Sequence, residues 1–325
     1  MASPICYRLD RVTPTRVLVL GGTGFIGRSI VRRFSAAGWA VRVLARNAVA
    51  DAEIDGAVTV EYRTGDASAP DDLEGSLENV DHVVYAVGRS LPQESNQDPV
   101  TDLLITVPPL LILLEALRAT PAIGLTYLSS GGTVYGNPDF LPASETSVCA
   151  PITGYGISKL ASEKYIGMYS KLYGVHAQIL RVANAYGPGQ RAGRSQGVIA
   201  SLFDCLLHER TAKLFGNAVR DYLFVDDIAE AVFQLQTSNA GTVLVNVGSG
   251  VGSALSEVIS TIETVTGATI LRNQLPARDF DVHEIVLDVS RLRSLIDWRP
   301  RPLMDGIRAT WDSLGVHSAV TELTE

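Results

Sequence analysis

Residues 16–47, "RVLVLGGTGFIGRSIVRRFSAAGWAVRVLARN", switch from strand periodicity to helix periodicity and back. "VLVL" is short and wholly apolar, as a parallel strand covered on both faces must be. Ile26, Ile30, Val31 and Phe34 then supply a helical stripe, Gly38 closes it, and "AVRVLA" begins a second strand. The turn between the first strand and the helix holds Gly21, Gly24 and Gly27 as GxxGxxG. Glycines there permit a tight turn and close approach of a pyrophosphate, while the first amides of the helix donate to it. The segment therefore predicts a dinucleotide cradle at Gly21, Gly24, Phe25, Ile26 and Gly27.

Alternation of the same kind continues. "VTVEYRTG", "DHVVYAVG", "IGLTYLSS" and "HAQILRV" read as strands, with "DDLEGSLENV", Leu103 to Leu117 and "SKLASEKYIGMYSKLYG" as the intervening helices. This pattern predicts an α/β fold: a doubly wound parallel Rossmann-type sheet whose ligand crevice lies beyond the carboxyl ends of its strands. After Tyr186 the texture changes to the loop "GPGQRAGRSQG" and a helix over 198–209. "AVRDYLFVDDIAEAVFQLQ" and "TVLVNVGSG" then read as a helix and a strand returning to the sheet. The expected division is a dinucleotide-binding domain over 14–187 and 222–250, with a smaller discontinuous substrate-binding lobe over 188–221 and 251–325.

Composition narrows the partners. With 27 basic against 35 acidic residues and a formal charge of -8, the chain lacks the concentrated positive face that nucleic acid requires. Cys6, Cys149 and Cys205 are odd in number and too widely spaced for a zinc site or a disulfide framework, which points to a reducing cytoplasm. His82, His176, His208, His283 and His317 show no ligand spacing, so no metal is expected. The start of the chain lacks an apolar signal segment, and the apolar run 103–114 is too short to cross a bilayer and is broken by Thr106, Pro108 and Pro109. No membrane association is expected.

Two further stretches carry chemistry. "GYGISKLASEK" sets Tyr155 four residues before Lys159, on one helical face, where an ammonium lowers the pKa of a phenol. Such a phenol accepts a proton from an alcohol or returns one to a carbonyl. "LSSGGTVYG" brings hydroxyls to the end of a buried strand. On the cofactor side the second strand ends in Ala45, Arg46 and Asn47 with no carboxylate to oppose a 2'-phosphate, so the cofactor is NADP or NAD with a lean to NADP. Asp66, followed by Ala67, either receives the adenine amino group or caps the next turn; Val87 and Gly88 lie where backbone passes close to the dinucleotide.

With "GGTGFIG", "SSGGTVYG", "YGISK", "RVANAYGPGQ", "RDYLFVDDIAEA", "NVGSG" and "LIDWRPRPLMDGI" in this order, the chain resembles the extended short-chain dehydrogenase/reductase family, in particular its nucleotide-sugar epimerases and dehydratases, from about Arg16 to Trp311. The resemblance implies catalytic Tyr155 and Lys159, a nucleotide-diphosphate sugar as substrate, and a homodimer built on a helix bundle. It also implies Asn184, Arg220 and Arg278 as substrate residues, the two arginines clamping the diphosphate. Relatives place a catalytic Ser or Thr three residues before Val-Tyr-Gly, which here is Gly131. Either Ser130 or Thr133 must then supply the hydroxyl, with Thr133 slightly favoured. Gly132 and Thr133 stand where dehydratases carry an Asp-Glu pair, which argues against dehydration. The expected activity is epimerisation of a nucleotide-activated hexose through a 4-keto intermediate. The alternatives are an NADPH-dependent nucleotide-sugar 4-ketoreductase and, from a different class, a nonenzymatic dinucleotide sensor.

Overall fold

A computed structural model describes residues 15–47, 60–88, 92–192, 197–238, 240–278 and 280–315. The βαβ unit is present as β1 (Arg16–Leu20), α1 (Phe25–Ala36) and β2 (Ala40–Ala45). It is followed by β3 (Val60–Thr64), α2 (Pro70–Ser76), β4 (His82–Tyr85), α3 (Pro92–Gln97), α4 (Pro99–Ala119), β5 (Gly124–Ser130), α5 (Gly154–Tyr173) and β6 (Ala177–Val182). The remainder comprises β7 (Asn184–Tyr186), α6 (Val198–Leu207), β8 (Ala212–Phe215), β9 (Val219–Phe224), α7 (Val225–Thr237) and β10 (Val243–Val247). Last come β11 (Gly252–Ala254), α8 (Leu255–Thr266), β12 (Arg272–Leu275), β13 (Glu284–Ile285), α9 (Ser290–Leu295) and α10 (Leu303–Asp312).

Seven strands pair in parallel in the order β10-β6-β5-β4-β1-β2-β3. The order reverses between β1 and β4, and at such a switch point the two flanking loops part to leave a ligand crevice. Alternate side chains of β1 serve opposite layers. Val17 and Val19 pack with Ile30 and Phe34 of α1 and Ile228 of α7, whereas Leu18 and Leu20 pack with Leu73 of α2 and Leu110 and Leu113 of α4.

The smaller lobe has its own core. Ile199 and Phe203 of α6, Leu214 of β8, Ile259 of α8 and Ile307 and Trp311 of α10 close on one another, with Phe203 stacked on Trp311 at 5.5 Å. Its strands are β11-β9-β13 with β7 added alongside β9, and the pair β12-β8. Residue 222, the expected boundary between domains, lies within β9, and β7 pairs with β9 rather than with the large sheet.

Two expectations need correction. "VRDYLF" is a strand and not the start of a helix; its partners β7, β11 and β13 lie far away in sequence, and the helix begins only at Val225. The helix expected from Leu103 starts at Pro99 instead, with the Asp98 side chain accepting the Thr101 amide at 3.0 Å, and runs through Pro108 and Pro109. These prolines lack the N–H groups that would reach Leu104 and Ile105, and burial of Val107, Leu110, Leu113, Leu114 and Leu117 holds the helix in spite of the loss. At this length α4 is long and apolar enough to cross a membrane by length and composition, so the length argument against a span fails; in this fold it packs along α5.

Candidate active site

The glycines between β1 and α1 form a tight turn. Gly21 has φ +85°, and a Cβ there would meet the Ala86 carbonyl oxygen at 2.7 Å; a Cβ on Gly27 would meet the Gly21 oxygen at 2.0 Å. The turn is closed by the Gly24 amide, which donates to Gly21 at 2.9 Å, and α1 starts at Phe25 and Ile26 with no acidic residue in its first turn. Backbone and the positive end of a helix are thus offered to a phosphate with no carboxylate in that helix's first turn, which fits a dinucleotide. Val87 and Gly88 continue the strand end that Gly21 packs against, and Ala67 and Val87 lie against the core. Asp66 accepts the Ser68 amide at 2.8 Å, a turn-capping contact, and the Asp72 carboxylate accepts the Asp66 amide at 2.9 Å. Arg46 and Asn47 follow β2 on the exposed surface.

Tyr155 and Lys159 sit on the first turns of α5. This helix is capped from three sides: Thr153 accepts the Gly156 amide at 3.1 Å, Ser95 the Tyr155 amide at 2.8 Å and Asn96 the Gly154 amide at 2.9 Å. The backbone that carries the phenol is therefore fixed by α3. Lys159 is 4% exposed and donates to the Leu128 carbonyl at 2.9 Å, with its Nζ 4.9 Å from the Tyr127 ring centre and 5.8 Å from that of Tyr155. Burial pulls the ammonium down to about 8, and the nearby Glu163 and Asp102 oppose that fall. The phenol behaves differently from expectation. Burial pushes Tyr155 up to about 12, and what offsets it is hydrogen bonding with Ser130, not the lysine.

The geometry separates the candidate hydroxyls. Ser130, the last residue of β5, faces the phenol. The Thr133 Oγ1 is buried and has no hydrogen-bond partner among the described residues. Nor is Gly131 a vacated hydroxyl position, because a Cβ there would meet Leu287 Cδ1 at 2.6 Å and the Arg181 carbonyl oxygen at 2.9 Å. Position 131 points into packed protein. Ser129 turns the other way and donates to Glu163.

Of the two arginines expected to meet substrate, Arg220 of β9 has its guanidinium lowered by burial, against the opposing influence of Tyr222 and Asp281, and Arg278 lies close enough to lower it further. Two cations held together in an acidic protein suit a diphosphate. Arg278 is braced by Asp281 through two contacts of 2.9 Å and lies between the Phe215 and Phe280 rings, 4.8 Å from each centre. An incoming anion would compete with that carboxylate. Arg220 donates to the Val219 carbonyl at 2.9 Å. Asn184 stands across from Gly132, where a Cβ would come within 2.6 Å of its Oδ1.

Several residues that support the site were not singled out from sequence. Asp221 is buried and accepts from Ser249 N at 2.8 Å, Ser249 Oγ at 2.6 Å and Gly250 N at 3.0 Å, tying the "NVGSG" turn to β9. Behind β5, Glu163 pairs with Arg181 at 2.7 Å, both side chains under 5% exposed. Arg181 also donates to the Tyr135 hydroxyl at 3.0 Å, and that hydroxyl donates to Asn246 at 2.6 Å. The "SSGGTVYG" segment is thereby clamped from behind. Among the described residues no group of three or more His, Cys, Asp or Glu side chains is arranged to hold a metal.

Comparison with known proteins agrees with this geometry. A UDP-glucose 4-epimerase of Mycolicibacterium smegmatis is 34% identical over 307 residues, covering 91% of this chain and 97% of its own. A dTDP-6-deoxy-L-talose 4-dehydrogenase (NAD(P)(+)) of Kitasatospora kifunensis is 32% identical over 311 residues, covering 92% and 95%. The crystal structure of a UDP-glucose 4-epimerase of Thermus thermophilus in complex with NAD superposes with a TM-score of 0.85 at 32% identity, over 93% of this chain and 99% of that one. The family model described as "NAD dependent epimerase/dehydratase family" matches residues 17–248, a span that runs from the glycine cradle through Ser130, Tyr155 and Lys159 to the turn held by Asp221, and the chain belongs to that family.

Proposed function

We propose that the protein is an NAD(P)-dependent epimerase of a nucleotide-activated hexose acting through a 4-keto intermediate. The observation that carries the reading is the convergence of the Ser130 hydroxyl, the Tyr155 phenol and the Lys159 ammonium at the carboxyl edge of the sheet that also bears the glycine cradle. Gly21, Gly24, Phe25, Ile26 and Gly27 would hold the cofactor pyrophosphate, with Arg46, Asn47, Asp66, Ala67, Val87 and Gly88 along the adenosine and ribose. The bound nicotinamide supplies a hydride acceptor and donor. As the phenolate, the form that the positive charge of an oxidised nicotinamide would favour, Tyr155 would take the proton of the sugar 4-hydroxyl and, as the phenol, later return it. Ser130 would hold the reacting oxygen, and Lys159 would stabilise the phenolate whenever Tyr155 is without its proton. Asn184, Arg220 and Arg278 grip the diphosphate, leaving the hexose as the part free to turn.

The alternative, an NADPH-dependent 4-ketoreductase, is favoured by one observation: β2 is followed by Arg46 and Asn47 and not by a carboxylate. The Kitasatospora relative, named as a 4-dehydrogenase using NAD(P)(+), belongs to the same class of chemistry. Incubation with UDP- and dTDP-hexoses and their 4-keto forms, with and without NADPH, followed by NMR, separates the two. Exchange at C4 without stoichiometric NADPH use supports the epimerase; one NADPH consumed per product replaces it with the reductase. Dissociation constants for both cofactors test the lean to NADP, and a strong NAD preference unchanged in Arg46→Ala would reject it.

We further infer a homodimer, from the exposed apolar faces of α4 and α5, and a cytoplasmic location, from widely spaced cysteines of which Cys149 and Cys205 are free thiols. A charge of -8 without a basic face leaves nucleic acid outside its partners.

A further inference from the structure

α4 is apolar almost throughout, yet Asp102 on its first turns is only 2% exposed. Its Oδ2 accepts the Ser158 hydroxyl at 2.5 Å, and Ser158 lies on α5 between Tyr155 and Lys159. Four charged side chains are buried in this part of the molecule, Lys159 and Arg181, Glu163 and Asp102, exposed by 4%, 2%, 5% and 2%, and of these Arg181 and Glu163 are in direct contact. Glu163 is engaged by Arg181, with contacts of 3.1, 3.2 and 2.7 Å, and by Ser129. Removing Asp102 would leave two buried cations against one anion, and an uncompensated buried charge is costly.

We propose that Asp102 is a positioning residue for the tyrosine–lysine pair: anchored by Ser158, it is the counter-charge that lets Lys159 remain an ammonium inside the protein. This rests on the reading of that pair given above. The groups facing Lys159 are Tyr155 and Glu163 from α5, Tyr127 and the Leu128 carbonyl from β5, and Asp102 from α4. Arg181 of β6 acts on it through Glu163. Of the two carboxylates, Glu163 has the stronger effect on the lysine, but its charge is already answered by Arg181. Asp102 acts on both members of the pair, opposing loss of the proton from Lys159 and from Tyr155 alike. A neutral residue at 102 therefore shifts the working range of the pair toward acid.

The test needs no substrate. The chain has four lysines, Lys159, Lys164, Lys171 and Lys213, of which only Lys159 is buried. In protein labelled with 13C at lysine Cε, the Lys159 resonance is assigned with Lys159→Met and titrated by NMR. The parent should titrate near 8. Asp102→Asn, which keeps an acceptor for Ser158 but no charge, should lower that midpoint by about one unit, and Asp102→Glu should restore it. The three exposed lysines should not move. An unchanged or raised Lys159 midpoint in Asp102→Asn overturns the proposal. Should that variant not fold, Ser158→Ala decides: loss of the anchor should lower the midpoint by a smaller amount, and no shift rejects the role. Turnover of UDP-glucose in Tyr155→Phe tests the underlying reading separately, so failure of one is distinguishable from failure of the other.

Discussion

Which side chain meets the phenol is decided by direction, not by counting along the chain. At the end of β5, Ser129 turns to Glu163, Ser130 to Tyr155, and position 131 into Leu287 and the Arg181 carbonyl. Ser130→Ala should lower kcat on the order of 10²-fold, the loss expected when one donor to a reacting oxygen is removed. Thr133→Val should leave kcat close to that of the parent, because Oγ1 has no partner to lose and an unsatisfied hydroxyl is replaced by a methyl. The reverse pattern in steady-state kinetics would return the role to Thr133. Gly131→Ser should not add a catalytic hydroxyl; overpacking against backbone should cost about 1–3 kcal/mol, read from urea unfolding. Tyr155 and Lys159 were legible from sequence because four residues on a helix always share a face. Asp102 was not, because a carboxylate in an apolar helix reads as an irregularity until α4 is laid against α5.

At the level of elements, a polar chain crosses the large sheet at the ends of the strands opposite the site. His82 Nε2 meets Thr126 Oγ1 at 2.8 Å, Thr126 donates to Gln178 Oε1 at 3.2 Å, and Gln178 donates to the Leu235 carbonyl of α7 at 2.9 Å. Burial pushes His82 down to about 3, so the folded protein refuses a proton that the unfolded chain accepts below its ordinary value of 6.5. Stability from this group is complete above pH 6.5 and declines as pH falls toward 3; at pH 5 the loss is about 2 kcal/mol. Urea midpoints at pH 6.5 and pH 5 should show it in the parent and not in His82→Gln, and equal losses in both would refute it. The strands of this sheet were readable because parallel strands buried on both faces are continuous apolar runs bounded by glycine. β9 was misread, since "VRDYLF" takes its strand character from β7, β11 and β13, which local pattern cannot see. α3 was missed altogether: "PQESNQ" has no apolar period, and its value lies in Ser95 and Asn96 capping α5.

Across the whole molecule, α4 and α5 have two faces with different duties. The inner faces hold Asp102, Tyr155, Lys159 and Glu163, while the outer faces expose Val100 by 66%, Leu104 by 59%, Ile157 by 55% and Leu172 by 61%, with Leu103 and Met168 nearby on the same helices. Apolar side chains spread over two adjacent helices make a patch of the kind that marks an interface. A second copy of the chain can cover it by a twofold operation in which the same patch serves both subunits. Light scattering after size exclusion should then give twice the chain mass of 34.8 kDa. Because the contact is apolar, high salt should not dissociate it. Leu104→Glu combined with Leu172→Glu should shift the protein to the mass of a single chain, since burying two carboxylates per subunit without partners is prohibitive. A parent that runs as a monomer at micromolar concentration would reject the dimer. If the dimer forms, α5, which carries Tyr155 and Lys159, is braced on both sides, and the double variant should lose turnover more than affinity for the dinucleotide, whose proposed cradle lies on β1 and α1.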